Sequence, residues 1–171
     1  LSTRTLTEFD LYSFTQDRPW INHEWFSEWQ MGVAYRAGGI AGLALLKGIL
    51  VFFSLWMIWS LLKGVDPIAR MTILGLVIVG TGSITRTLRP QLWTLVLLCI
   101  LCRTLAQDDR RARWFLPLAF AVWANVHGGW VVGLGVLGAW ATAAVRMDRG
   151  RALEWAGLFA LCAGATLITP Y

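Results

Sequence analysis

Charge is what this chain has least of. Charged side chains make up 15% of its 171 residues and apolar ones 57%, with a mean hydropathy of +0.58. That is too little polar surface to wrap a water-soluble domain of this size, so the composition predicts a protein of the bilayer. Acidic residues are scarcer than basic ones, 10 against 15, giving a net charge of +5. Such an excess would ordinarily suggest nucleic-acid binding, but the Lys and Arg residues stand at the ends of apolar runs, where they meet lipid headgroups, and nucleic acid is not expected as a partner. The three cysteines, Cys99, Cys102 and Cys162, all lie inside apolar runs. The C-x-x-C spacing of the first two has no redox loop around it and reads as one turn of a buried helix. There are two histidines, His23 and His127, and no second His in a span to complete a bis-His haem pair. An H-E-x-x-H zinc motif is absent because Ser27 stands where its second His would be. The start of the chain shows neither the basic stretch nor the apolar stretch of a signal peptide, and no internal repeat or low-complexity tract is evident.

What the chain has in abundance is apolar runs and tryptophan. Residues 1–37 are polar, aromatic and acidic and form a separate region that does not span. Within it Trp20, Trp25, Phe26, Trp29 and Val33 recur at helical spacing with Glu24, Glu28 and Arg36 between them, the pattern of an amphipathic helix lying along an interface. Asn22 is the expected N-cap. Residues 38–171 are expected to form an all-α transmembrane bundle of about six segments, approximately 40–62, 71–85, 92–106, 114–124, 130–145 and 152–168. The first of these is long enough to cross a hydrocarbon core, and the others fall short of the ~20 residues a full crossing needs. Most of the 11 Trp residues fall near segment ends, as interfacial anchors do.

The connections between the runs alternate in chemistry. Lys63 to Arg70, Arg103 to Arg113 and Arg146 to Arg151 are ordinary basic loops, which the positive-inside rule places in the cytoplasm. The other connections, Arg86-Thr-Leu-Arg89-Pro90-Gln91 and Trp123-Ala-Asn125-Val-His127-Gly128-Gly129, press specific polar residues between apolar runs. They then lie outside, together with residues 1–36. Arg86 and Arg89 are candidate phosphate ligands, because a guanidinium offers a planar fork of donors and is costly near hydrocarbon without an anion. Lipid anchoring by snorkelling is the alternative, and Gln91 beside them argues against it. Asn125 and His127 precede a glycine pair in the middle of an apolar stretch, where His is either a hydrogen-bonded structural residue or a base or phosphate donor. Lys47 interrupts the first span and either snorkels or adds a phosphate contact. Asp10 and Glu24 are the candidate catalytic carboxylates. Carboxylates beside a cation-rich pocket could also hold a divalent metal, although no motif indicates one and the cofactor stays open.

Three segments, Asp10-Leu-Tyr-Ser-Phe-Thr-Gln-Asp-Arg-Pro-Trp-Ile-Asn-His-Glu-Trp, Arg-Pro-Gln-Leu-Trp at 89–93 and Trp-Ala-Asn-Val-His-Gly-Gly at 123–129, occur in an order that resembles bacterial polytopic membrane proteins of the GT-C glycosyltransferase superfamily, whose members include protein O-mannosyltransferases and aminoarabinose transferases. The resemblance implies an enzyme of the bacterial inner membrane that transfers a sugar from a polyprenyl-phosphate carrier to an acceptor on the outer face. It also implies that Asp10 lies in the later part of an outer loop, that His23-Glu24 opens an interfacial helix and that Arg86, Arg89, Asn125 and His127 lie near the carrier phosphate. In that family a transmembrane helix and a catalytic acid precede the region matched, so this stretch alone is expected to be an inactive fragment. Membrane lipid and the polyprenyl-linked sugar are the expected partners. The rival readings are a transporter or flippase for an anionic lipid or solute, and a non-catalytic membrane scaffold subunit.

Overall fold

Two adjacent glycines decide how the longest helix is used. In the computed structural model, which describes residues 7–9, 19–107 and 110–170, helix α1 runs over Trp25–Leu61 but is broken at Gly38 (φ −152°, ψ 16°) and Gly39 (φ 57°, ψ −138°). Gly39 occupies the left-handed region that residues with a Cβ avoid. The break is sharp enough that a Cβ on Gly42 would run into the carbonyl of Ala34, eight residues earlier, so the two arms of α1 fold back towards each other. The first arm carries the aromatic residues Trp25, Phe26 and Trp29. The second reaches Leu61, long enough at about 1.5 Å per residue to cross a hydrocarbon core of roughly 30 Å.

The helices that follow are set by ordinary terminal signals. Helix α2 (Pro67–Gly80) starts on Asp66, whose Oδ1 accepts from the amides of Ile68 at 3.0 Å and Ala69 at 3.1 Å, with Pro67 in the first turn. After the short α3 (Gly82–Thr85) the chain passes Pro90 and enters α4 (Gln91–Ala106). A single turn, α5 (Arg110–Arg113), leads to α6 (Leu116–Val126), which ends where His127 takes an extended conformation. Helix α7 (Trp130–Met147) runs back, a 3-10 turn at Arg149–Arg151 reverses the chain, and α8 (Ala152–Ala165) closes it. Apart from one three-residue antiparallel pairing, β1 (Thr7–Phe9) with β2 (Pro19–Ile21), the regular elements among the described residues are helices.

Helix α1 packs chiefly on α4, and α8 on α6 and α7. The core lies between α4, α6, α7 and α8, with Leu92, Leu101, Phe120, Trp123, Leu137 and Trp155 at its centre. Helix α2 buries no residue at all. Gly133 lies against the rings of Trp123 and Phe120, where any larger side chain would push α7 off α6.

Two helices, Trp25–Leu61 and Trp130–Met147, are long and apolar enough to cross a membrane, while Pro67–Gly80 and Gln91–Ala106 are apolar but shorter. The segment expected over 71–85 is divided, α2 ending at Gly80 and α3 starting at Gly82, with the hydroxyl and the amide of Thr81 between them both donating to the carbonyl of Val77. Asn22 does not cap α1, whose N-cap is Glu24. Its Oδ1 instead accepts from the Glu24 amide at 3.1 Å, and its Nδ2 donates to Glu28 Oε2 at 2.7 Å, so the side chain shapes the turn ahead of the helix.

Candidate functional site

The extended backbone at His127 ends α6 and turns the imidazole back towards α4 and the start of α1. The indole N–H of Trp123, one turn earlier on α6, donates to Thr94 Oγ1 at 3.0 Å. That leaves the Thr94 proton to point at His127 Nδ1, 2.8 Å away. The backbone N–H of Gly129 donates to the same nitrogen at 3.0 Å. A ring nitrogen that accepts twice carries no proton of its own, so the neutral imidazole holds its hydrogen on Nε2. Nε2 faces Glu24 Oε1 at 3.6 Å. The glycine is required by space as well as by the bond, since a Cβ at Gly129 would collide with the Thr94 side chain.

Burial lowers the pKa of His127 from its ordinary 6.5; the Glu24 carboxylate opposes that shift and His23 adds to it. The ring is therefore neutral at pH 7, and the contact with Glu24 is a dipole on a carboxylate rather than a full ion pair. Both partners are partly open to solvent, with side-chain exposures of 21% for His127 and 28% for Glu24. A carboxylate that faces an imidazole N–H at 3.6 Å on one side and is open on the other can accept a proton from a bound hydroxyl.

Asn125 sits beside this pair in a structural role. Its Oδ1 accepts from Trp25 Nε1 at 2.8 Å, and its Nδ2 donates to the carbonyls of Ala121 at 2.8 Å and Ile168 at 2.7 Å. Both amide protons are thus engaged, and the side chain ties α1, α6 and the end of α8 together. A second tie joins Trp93 Nε1 to Gln30 Oε1 at 2.7 Å. Next to the Asn125 tie is a shallow cleft of about 220 Å³ lined by Trp25, Phe26, Ala121, Val122, Asn125 and Ile168.

The cationic candidates gather separately. Lys47 Nζ donates to the backbone carbonyl of Arg86 at 3.2 Å, which fixes the loop ahead of α4. Arg86 and Arg89 are exposed in that loop, and among the described residues neither guanidinium has an ion-pair or hydrogen-bond partner. Gln91 Oε1 is buried and accepts no hydrogen bond among the described residues. Asp10 lies outside the described residues.

The structure thus joins Glu24 to His127 and Asn125 to Trp25, and it puts Lys47 on the Arg86 backbone, at the end of α4 where Thr94 also lies. Among the described residues there is no direct contact between the two groups. Thr94, Trp123 and Gln30 were not singled out from sequence. The signal for Thr94 was there, since it is a hydroxyl in an apolar run one helical turn after Gln91. Among the described residues no group of three His, Cys, Asp or Glu side chains is placed to hold a metal ion. No protein-family model, curated protein or solved structure matches the chain.

Proposed function

We propose that this chain is the bilayer-embedded part of a GT-C-like glycosyltransferase of the bacterial inner membrane, moving a sugar from a polyprenyl-phosphate carrier to an acceptor hydroxyl on the outer face. The observation that carries the reading is the meeting of the Glu24 carboxylate with the Nε2–H of His127, at the end of the bundle where Arg86 and Arg89 precede α4. Large exposed apolar side chains such as Ile40, Phe52, Val79 and Phe115 support the bilayer, because a water-soluble surface would not carry so many.

In this reading the acceptor oxygen attacks the anomeric carbon while the bond from that carbon to the carrier phosphate breaks. Glu24 takes the acceptor proton, and the imidazole N–H holds the carboxylate in place. The electron pair leaves with the phosphate, where Arg86 and Arg89 offset the developing charge with forked donors. Lys47 acts through the Arg86 backbone by fixing the loop, and Asn125 acts by holding the helix that presents Glu24.

The test is transfer from a labelled polyprenyl-phosphate sugar by the natural gene product in membranes. Glu24→Gln should lower transfer by roughly 10²-fold or more, the usual weight of a general base, and Arg89→Ala should lower it with insertion unchanged. Undiminished transfer in Glu24→Gln removes the base assignment. Movement of an anionic lipid between leaflets without sugar transfer would favour a flippase instead.

A further inference from the structure

The far ends of α1 and α4, opposite Glu24 and His127, bring together cations that no carboxylate among the described residues balances. The Arg70 guanidinium, from the first turn of α2, lies over the Trp59 ring at 3.3 Å from its centroid and donates to the Trp59 carbonyl. Arg103, from the last turn of α4, donates through Nη1 to Ser60 Oγ and stands 5.9 Å from the Trp56 ring centroid. Two guanidinium groups from different helices are thus anchored on adjacent residues of α1, with Lys63 just beyond them. Asp66, four residues before Arg70, is occupied by the amides of Ile68 and Ala69. Among the described residues no carboxylate lies within 4.0 Å of Arg70 or Arg103. The neighbouring basic group differs in this respect, since Arg110, Arg113 and Arg151 share Glu154 at 3.6, 3.4 and 3.7 Å.

We infer that the ends of α1, α2 and α4 bind the phosphate of an anionic phospholipid, held by Arg70 and Arg103 with Lys63 beside them. The inference rests on the reading that these helices stand in a bilayer. Each guanidinium has five N–H donors and uses few of them on the protein. Arg70 is held by the ring and the carbonyl of Trp59 and Arg103 by the Ser60 hydroxyl beside the Trp56 ring, so little side-chain freedom remains to be lost on binding. Two like charges so anchored repel unless an anion lies between them, and a phosphate bridging both satisfies the forks of each. Basic pockets between helices on the cytoplasmic side are where anionic headgroups bind. A lipid fits better than free phosphate because the walls above the cations are apolar and open: Phe52 is 72% and Trp56 49% exposed on α1, and α2 buries nothing, leaving room for acyl chains along the seam.

The experiment uses the purified chain in vesicles of phosphatidylcholine alone or with phosphatidylglycerol, followed by native mass spectrometry of the lipid retained. The wild type should retain phosphatidylglycerol over phosphatidylcholine, and Arg70→Gln with Arg103→Gln should lose that preference by roughly tenfold. Arg146→Gln, on a different helix end, should keep it. Lys63→Gln, which disturbs no anchor, should weaken retention in the same direction if the double variant folds poorly. Equal retention of both lipids by the wild type, or undiminished preference in the Arg70 and Lys63 variants, overturns the inference. Thermal stabilisation by inorganic phosphate equal to that by phosphatidylglycerol overturns the lipid assignment. Failure of the protein to float with vesicles of any composition would instead overturn the bilayer reading.

Discussion

Thr94 is the residue on which the arrangement at His127 depends, because one hydroxyl both accepts from Trp123 and donates to the imidazole. Thr94→Val keeps the shape and removes both bonds, leaving the indole N–H of a Trp that is 1% exposed without an acceptor. The expected cost is about 1–3 kcal/mol, read as a lower Tm in detergent or bilayer, and an unchanged Tm would show that the hydroxyl is dispensable. His127 gives stability a defined pH dependence. Its folded pKa lies below the ordinary 6.5, so between those two values the unfolded chain binds more protons than the folded one. Stability is therefore present above pH 6.5 and lost as pH falls through that window, and His127→Gln should flatten the fall. Sequence gave His127 and Glu24 as separate candidates. It could not pair them, because they stand 103 positions apart and their meeting depends on which way α1 folds back. It read Asn125 as a phosphate neighbour, since an amide in an apolar run signals a partner without saying that the partners are an indole and two carbonyls.

At the scale of elements, the break at Gly38 and Gly39 turns one long helix into two arms with different tasks. The first presents Glu24 and Trp25 to α6, and the second packs on α4. Gly39→Ala should cost about 1–2 kcal/mol, the penalty for a Cβ in the left-handed region. Gly42→Val should pry the arms apart, since the space beside it holds the Ala34 carbonyl. Spin labels at positions 28 and 128 measure the second effect as a longer distance than in the parent, and an unchanged distance would mean the arms are held elsewhere. The apolar runs and their order were legible from hydropathy, because burial and lipid contact both demand the same side chains. The glycine break was not anticipated, as the same two residues serve equally in a straight helix packed closely on a neighbour. The ends of α2 and α6 were misplaced by a few residues where Asp66 and Pro67, or Pro117, set the start more strongly than the apolar pattern did.

At the scale of the molecule, the polar contacts sort to two ends. Glu24 with His127 and Thr94, Gln30 with Trp93 and Asn125 with Trp25 meet at one, while Arg70 with Trp59, Arg103 with Ser60 and Arg113 with Glu154 pair at the other. Between them lie mainly apolar side chains, with two helices long and apolar enough to cross a membrane. A bundle of this kind works as a one-sided site only if the two ends lie in different aqueous phases. The direct measurement is labelling by a membrane-impermeant maleimide of single cysteines placed, after replacement of Cys99, Cys102 and Cys162, at positions 28, 83 and 128 and at 111 and 146, in sealed vesicles of known orientation. The account predicts that 28, 83 and 128 react from one side, and 111 and 146 only when the other side is opened. Reaction of 28 and 128 from opposite sides, or of all five from the same side, would contradict it.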